Sequence, residues 1–171
     1  MTEADHTLLA IDTVVNPHTS EIVKMRPDWS GRFHKGKFGR DDSVMQGYSY
    51  EEMLRQMDSA RIEKAFLVAN KTGQLGLKGS WHLPYEIVAK AVQKFPDRFY
   101  GLAGLDPTEG MAGVYALTEA VERYGFIGAH GYPHWFELPP DNARWYPFYS
   151  KCVELDICLL YTSDAADERS C

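Results

Sequence analysis

The chain has 171 residues, 44% of them hydrophobic and 13% aromatic, and its 18 basic and 24 acidic side chains give a net charge of −6. That composition suits one globular domain and excludes a wholly disordered chain, and acidic and basic residues interspersed along the sequence leave no electrostatic footprint for nucleic acid or anionic lipid. No stretch approaches the roughly eighteen apolar residues of a membrane span, and the first residues lack the basic start and apolar core of a signal peptide, so the expectation is a cytoplasmic protein with a small-molecule substrate and no nucleic-acid or membrane partner.

Leu8 to Val15 is a nearly continuous apolar run of strand length, the pattern of a strand buried on both faces in a parallel sheet. Asn16 to Tyr48 follows with Pro, Gly and charge but no sustained period, and is predicted to be a long functional loop. Lys24, Arg26, Arg32, Lys35, Lys37 and Arg40 crowd it, either as a solvated basic lid or as a lid that captures carboxylates. Ser49 then reads as an N-cap, with Glu52 at the capping-box position, for a helix from Tyr50 to about Ala60.

Lys64 to Ala69 is the second predicted strand, and Gly73, Gly76 and Gly79 after it suggest a mobile loop. Pro84 to Phe95 reads as a helix with Ile87, Val88, Ala91 and Val92 on one face. Phe99 to Leu105 is the third strand, and Thr108 begins a helix that runs through Tyr124 to a stop at Gly125. Phe126 to Gly131 is the fourth strand, Trp145 to Leu155 the fourth helix, and Ile157 opens a fifth strand. After the first loop, strand starts about 30 residues apart in strict alternation with helices mark an α/β fold built of βα units. Asn16, Pro17 and His18 stand where a nucleotide-binding sheet has its glycine-rich turn, so the N-terminal half of a (β/α)8 barrel is favoured over an open nucleotide-binding sheet.

A barrel builds its active site at the C-terminal ends of its strands. Those positions hold Asn16 and His18, then Asn70 and Lys71, then Asp106, then His130, Tyr132, His134 and Trp135. Three of the six histidines fall there. Tyr132, Trp135 and Phe136 can wall a flat ring or conjugated acid, and Lys71 can take its carboxylate.

The stretches GLAGLDP (Gly101–Pro107), AVERYGFIGAH (Ala120–His130), YPHW (Tyr132–Trp135) and YPFYSKCVEL (Tyr146–Leu155) resemble the amidohydrolase-related (amidohydrolase 2) family. That family includes aminocarboxymuconate-semialdehyde decarboxylase and dihydroxybenzoate decarboxylases. The resemblance covers nearly all of residues 8 to 157. It implies a hydrolase or decarboxylase acting on a small carboxylated, cyclic or conjugated substrate, with His130 and His134 as catalytic groups and Lys71, Tyr132 and Trp135 as substrate contacts. It also implies a divalent metal, zinc above all, gripped by a D-x-H-x-H motif on the first strand. The aligned residues here are Asp12 to Asn16, in which Val14 cannot coordinate and Asn16 offers only a neutral oxygen, so Asn16 and His18 are the metal-ligand candidates that this segment retains. A family member without catalysis, serving as a binding or assembly subunit, is the alternative. The longer protein is expected to form a homo-oligomer.

Cys152, Cys158 and Cys171 suggest neither a disulfide framework nor a zinc knuckle. Cys158 to Glu168 (CLLYTSDAADE) reads as the conceptual translation of a transposase sequencing adapter. The expected division is therefore a partial barrel domain over 1–157 and a non-native tail over 158–171, with the remaining strands absent and the fragment inactive. On the other reading, Leu159 to Tyr161 simply continue a strand, as their β propensity allows.

Overall fold

The computed structural model describes residues 9–39 and 45–161. In chain order the regular elements are β1 (Ala10–Val15), α1 (Ser20–Met25), α2 (Trp29–Phe38), α3 (Tyr50–Ser59), β2 (Ile62–Ala69), β3 (Lys71–Thr72) and β4 (Trp81–His82). After these come α4 (Tyr85–Lys94), β5 (Phe99–Gly104), α5 (Met111–Glu122), β6 (Gly128–Gly131), α6 (Pro133–Phe136), α7 (Tyr146–Glu154) and β7 (Cys158–Tyr161). Five strands pair in the order β1-β2-β5-β6-β7, every pair parallel. Each crossover from β2 onward carries a helix, which is the architecture of the N-terminal half of a (β/α)8 barrel.

Alternation along the strands separates two faces. Ala65, Leu67 and Ala69 of β2, Phe99 and Ala103 of β5 and Ala129 of β6 join Val88, Leu117, Phe126 and Phe148 in one helix-covered core. Phe66, Val68, Tyr100, Leu102, Gly128 and His130 therefore occupy the opposite, inner face. Close approach on the helix side depends on Gly101, where an added Cβ would collide with the Phe126 ring, and at the strand end on Gly104, where it would collide with the Ala69 carbonyl oxygen.

The βα units follow the predicted ones closely, except that β1, expected to be buried on both faces, is exposed from Ala10 to Thr13, and three further segments differ. The long first loop contains α1 and α2. Thr19 caps α1 through its side-chain oxygen, which accepts from Ile22 N at 3.4 Å, and the helix buries Ile22 and Val23. Lys71 and Thr72 pair antiparallel with His82 and Trp81, so the predicted mobile loop is the tip of a short ribbon. The helix expected from Thr108 starts at Met111. Asp106 Oδ1 accepts from Thr108 N at 2.7 Å and holds Pro107–Glu109 in a 3-10 turn, and Gly110 at φ +56° separates it from α5.

Leu8, Arg40 and residues 162–171, on which parts of the strand, lid and tail expectations fall, lie outside the described residues. Cys158–Tyr161 pairs in register with Gly128–Gly131 as β7. That pairing runs through main-chain hydrogen bonds that any strand-forming residues supply. Among the described residues no helix is long and apolar enough to cross a membrane.

Candidate active site

The strand ends open into a cavity of about 420 Å3, a size suited to a small ligand. Its floor is polar. Asn70 Nδ2 donates to Asn16 Oδ1 at 2.6 Å, and the Tyr132 hydroxyl lies 2.9 Å from Asn70 Oδ1 and 3.1 Å from Asn16 Oδ1. Residues from the ends of β1, β2 and β6 thus close one hydrogen-bonded triad. Burial pushes the Tyr132 phenol up to about 12, against the opposing effect of its bond to Asn16, so the hydroxyl keeps its proton at neutral pH and acts as a donor.

The walls are aromatic. Trp29 and Phe33 of α2, Trp81 of β4, Tyr48 and Trp135 surround the floor. Trp29 stacks on Trp135 with ring centroids 5.3 Å apart and planes 29° from parallel, and its indole N–H donates to the Gly79 carbonyl at 2.9 Å. The lid helix, the ribbon tip and α6 are thereby tied together. Beyond this pair lies a second cavity of about 500 Å3, lined by the ribbon tip, Leu138 and Arg144. It lacks the strand-end asparagines and Tyr132, so the inner cavity is the better candidate.

Of the residues predicted for the site, Asn16, His18, Tyr132 and Trp135 line this cavity. His130 does not. It is fully buried on the inner face with its ring 4.3 Å from that of Tyr132, neither ring nitrogen has a hydrogen-bond partner, and burial depresses its pKa to about 4. His130 is thus a neutral imidazole beneath the floor. His134 is exposed on α6, edge-on to Tyr132 at 6.0 Å, and also stands outside the lining.

Lys71 points the other way. Alternation along the ribbon turns Thr72 and Trp81 to the cavity and Lys71 and His82 to its far side. There Lys71 Nζ meets Glu109 Oε2 at 2.6 Å, His82 Nε2 lies 3.5 Å from Asp106 Oδ2, and His82 Nδ1 lies 3.7 Å from Glu109 Oε1. His82, Asp106 and Glu109 are the one group of three metal-competent side chains among the described residues. The two carboxylates address different nitrogens of one ring, and His82 Nε2 also faces the Gly73 carbonyl at 2.9 Å. With Lys71 already on Glu109, the four groups form a polar cluster that pins the ribbon to the end of β5.

A metal clamp at the end of β1 does not fit these residues. Val14 has no ligand atom, the Asn16 oxygen that could coordinate already accepts from Asn70 Nδ2 and lies within reach of the Tyr132 hydroxyl, and the His18 ring packs 5.5 Å from that of His34 and 5.8 Å from that of Tyr48. Sequence reasoning did not single out Trp29, His34, Tyr48 or Trp81, because the helices and the ribbon that place them carry no long apolar period. Thr19 ahead of Ile22 and Val23 was the available signal for α1.

A family model described as amidohydrolase matches residues 44–163, well over half of the chain. A 2-keto-4-carboxy-3-hexenedioate hydratase from Sphingobium sp. is 39% identical over 79 residues, covering 42% of this chain and 23% of the hydratase. Among solved structures, 5-carboxyvanillate decarboxylase from Novosphingobium aromaticivorans, holding manganese and 3-methoxy-4-hydroxy-5-nitrobenzoic acid, matches with a TM-score of 0.63 and 21% identity, over 92% of this chain and 51% of that one. A 4-oxalomesaconate hydratase from Rhodopseudomonas palustris matches with a TM-score of 0.57 and 24% identity, over 88% and 51%. The chain thus spans about half the length of these solved structures and under a quarter of the curated hydratase.

Proposed function

Because the chain belongs to the amidohydrolase family, we propose that the mouth of its half-barrel is the substrate-recognition part of a hydrolase or lyase site for a small, planar, carboxylated compound. The observation that carries this reading is the convergence of Asn16, Asn70 and Tyr132 under the aromatic walls at the strand ends. The floor can orient one polar substituent, and the walls can hold a ring by stacking and exclude water. The relatives named as decarboxylases and hydratases act on carboxylated compounds by their names. Decarboxylation and hydration both need a proton moved at a defined carbon or oxygen. Tyr132 is the protonated donor that borders the cavity. His130 is a positioning residue that packs against its ring, and His134 is a polar group at the rim.

A metal bound by residues beyond this chain could polarise a substrate carbonyl or carboxylate when present; the residues here bind, orient and exclude water. We read residues 158–171 as foreign to the gene and the 171-residue chain as catalytically incomplete. The genomic sequence past Ile157 tests that boundary. The functional reading is tested by expressing the complete reading frame and assaying carboxylated phenols and unsaturated tricarboxylates for loss of carbon dioxide and for addition of water, alongside metal analysis. Turnover of a carboxylated compound is expected. Tight binding of such compounds with no turnover and no metal favours instead a non-catalytic binding subunit, and neither binding nor turnover sinks the proposal.

A further inference from the structure

Arg26 stands apart from the other cations of the first loop. Lys24, Arg32, Lys35 and Lys37 are exposed, whereas Arg26 follows α1, turns inward and borders the cavity. Among the described residues, no other lysine or arginine and no carboxylate lines that cavity. The guanidinium carries several N–H donors in a planar fork. One goes from Nη2 to the Pro17 carbonyl at 3.0 Å, Nη1 faces His34 Nε2 at 3.1 Å, and Nε has no partner. The group also sits over the Trp81 ring, 5.2 Å from its centroid.

Among the described residues no aspartate or glutamate lies within ion-pair distance of Arg26. A half-buried guanidinium held by one neutral carbonyl, an imidazole and an aromatic face has lost hydration without gaining an anion. Burial lowers its proton affinity, and the groups that oppose this are the phenols of Tyr48 and Tyr132 rather than a carboxylate. His34 and Trp81 fix the plane of the fork, so it is organised before any ligand arrives.

We propose that Arg26 is the carboxylate-anchoring, specificity-determining residue of this cavity. The inference rests on the functional reading above and deepens it. The ligand's carboxylate meets the unspent guanidinium donors, and its ring lies against Trp81 and the Trp29–Trp135 pair. The substituent opposite the carboxylate reaches Asn16, Asn70 and Tyr132. Arg26 anchors the ligand and transfers no proton.

Calorimetric titration of the protein expressed from the complete reading frame with 4-hydroxybenzoate and isophthalate, and with the matching amides, tests this. Tryptophan fluorescence quenching provides a second readout. The acids are expected to bind and the amides not. Arg26→Gln is expected to weaken acid binding by roughly 10- to 100-fold, the worth of a charge-assisted contact, and Arg26→Lys to restore only part of it because the fork is lost. Arg144→Gln, in the outer cavity, is expected to leave acid binding unchanged. The acid-against-amide comparison on the parent chain keeps the test decisive should the Arg26 variants misfold. Equal binding of acid and amide overturns the anchor while the planar-ligand reading survives. An acid affinity that falls in Arg144→Gln but not in Arg26→Gln overturns it as well. If neither acids nor amides bind, the functional reading fails and the anchor fails with it.

Discussion

Leu67, Phe99, Phe126 and Phe148 lie sealed between the sheet and its helices, with exposures of 0–2%. At the mouth of the same sheet, Asn16, Asn70 and Tyr132 satisfy one another while Arg26 waits half-buried with donors unspent. The helix side gains free energy by removing apolar area from water, at about 25 cal/mol per Å2. The mouth holds polar groups in fixed geometry at some cost in stability, a trade expected of a binding site. Stability and recognition are therefore carried by different faces of one set of strands, and substitutions should separate them.

The largest effect is expected on the helix side. Phe126 is 2% exposed, lies against the Gly101 backbone and packs near Tyr85. Phe126→Ala should destabilise the chain by about 3–5 kcal/mol through lost transfer free energy and a residual cavity. A urea midpoint equal to that of the parent would remove the helix-side core from its assigned role.

His130 gives the next effect, on the inner face. Its folded-state pKa of about 4 lies below the ordinary value of 6.5, so below pH 6.5 the unfolded chain takes up a proton that the folded chain refuses. The contribution to stability is complete above pH 6.5 and is lost as the pH falls toward 4, amounting to about 3 kcal/mol. His130→Phe should flatten that part of the stability profile. Urea midpoints from pH 7 to pH 4 that coincide for parent and variant would show that His130 is not held neutral by its burial.

The contrast also explains what could be read from the sequence. β2, β5, α4 and α5 announce themselves because burying one face imposes an apolar period that survives in the primary structure. The strand-end positions follow from the barrel pattern, which is why Asn16, His18, Tyr132 and Trp135, singled out on sequence, line the cavity. α2 is a lid with Gly31, Gly36, Lys35 and Lys37 in ten residues, and it is anchored by tertiary contacts such as the Trp29 indole on the Gly79 carbonyl and His34 against Arg26. The β3–β4 ribbon pairs residues ten or so apart across a glycine-rich tip, which no local pattern encodes. Both elements take their form from contacts with the rest of the chain. For that reason the direction of Lys71, and the selection of Arg26 from among the lid's cations, became visible only in three dimensions.

Lys71 provides the smallest and most discriminating test. On sequence it is a ligand contact, whereas in the structure its ammonium meets Glu109 at 2.6 Å and also sits 5.2 Å from the centre of the Tyr85 ring. The pair is partly exposed, with side-chain exposures of 11% and 25%, so solvent screening limits its worth. Lys71→Met should therefore cost about 1 kcal/mol. Its methionine stem still covers the Tyr85 ring, and His82 can turn toward Glu109 to retain part of the network. Affinity for 4-hydroxybenzoate should stay within about twofold of the parent, since Thr72 and Trp81, not Lys71, face the cavity. A tenfold loss of affinity at unchanged stability would mean that the ribbon turns over when ligand binds, bringing Lys71 to the carboxylate and making it share the anchoring role assigned to Arg26.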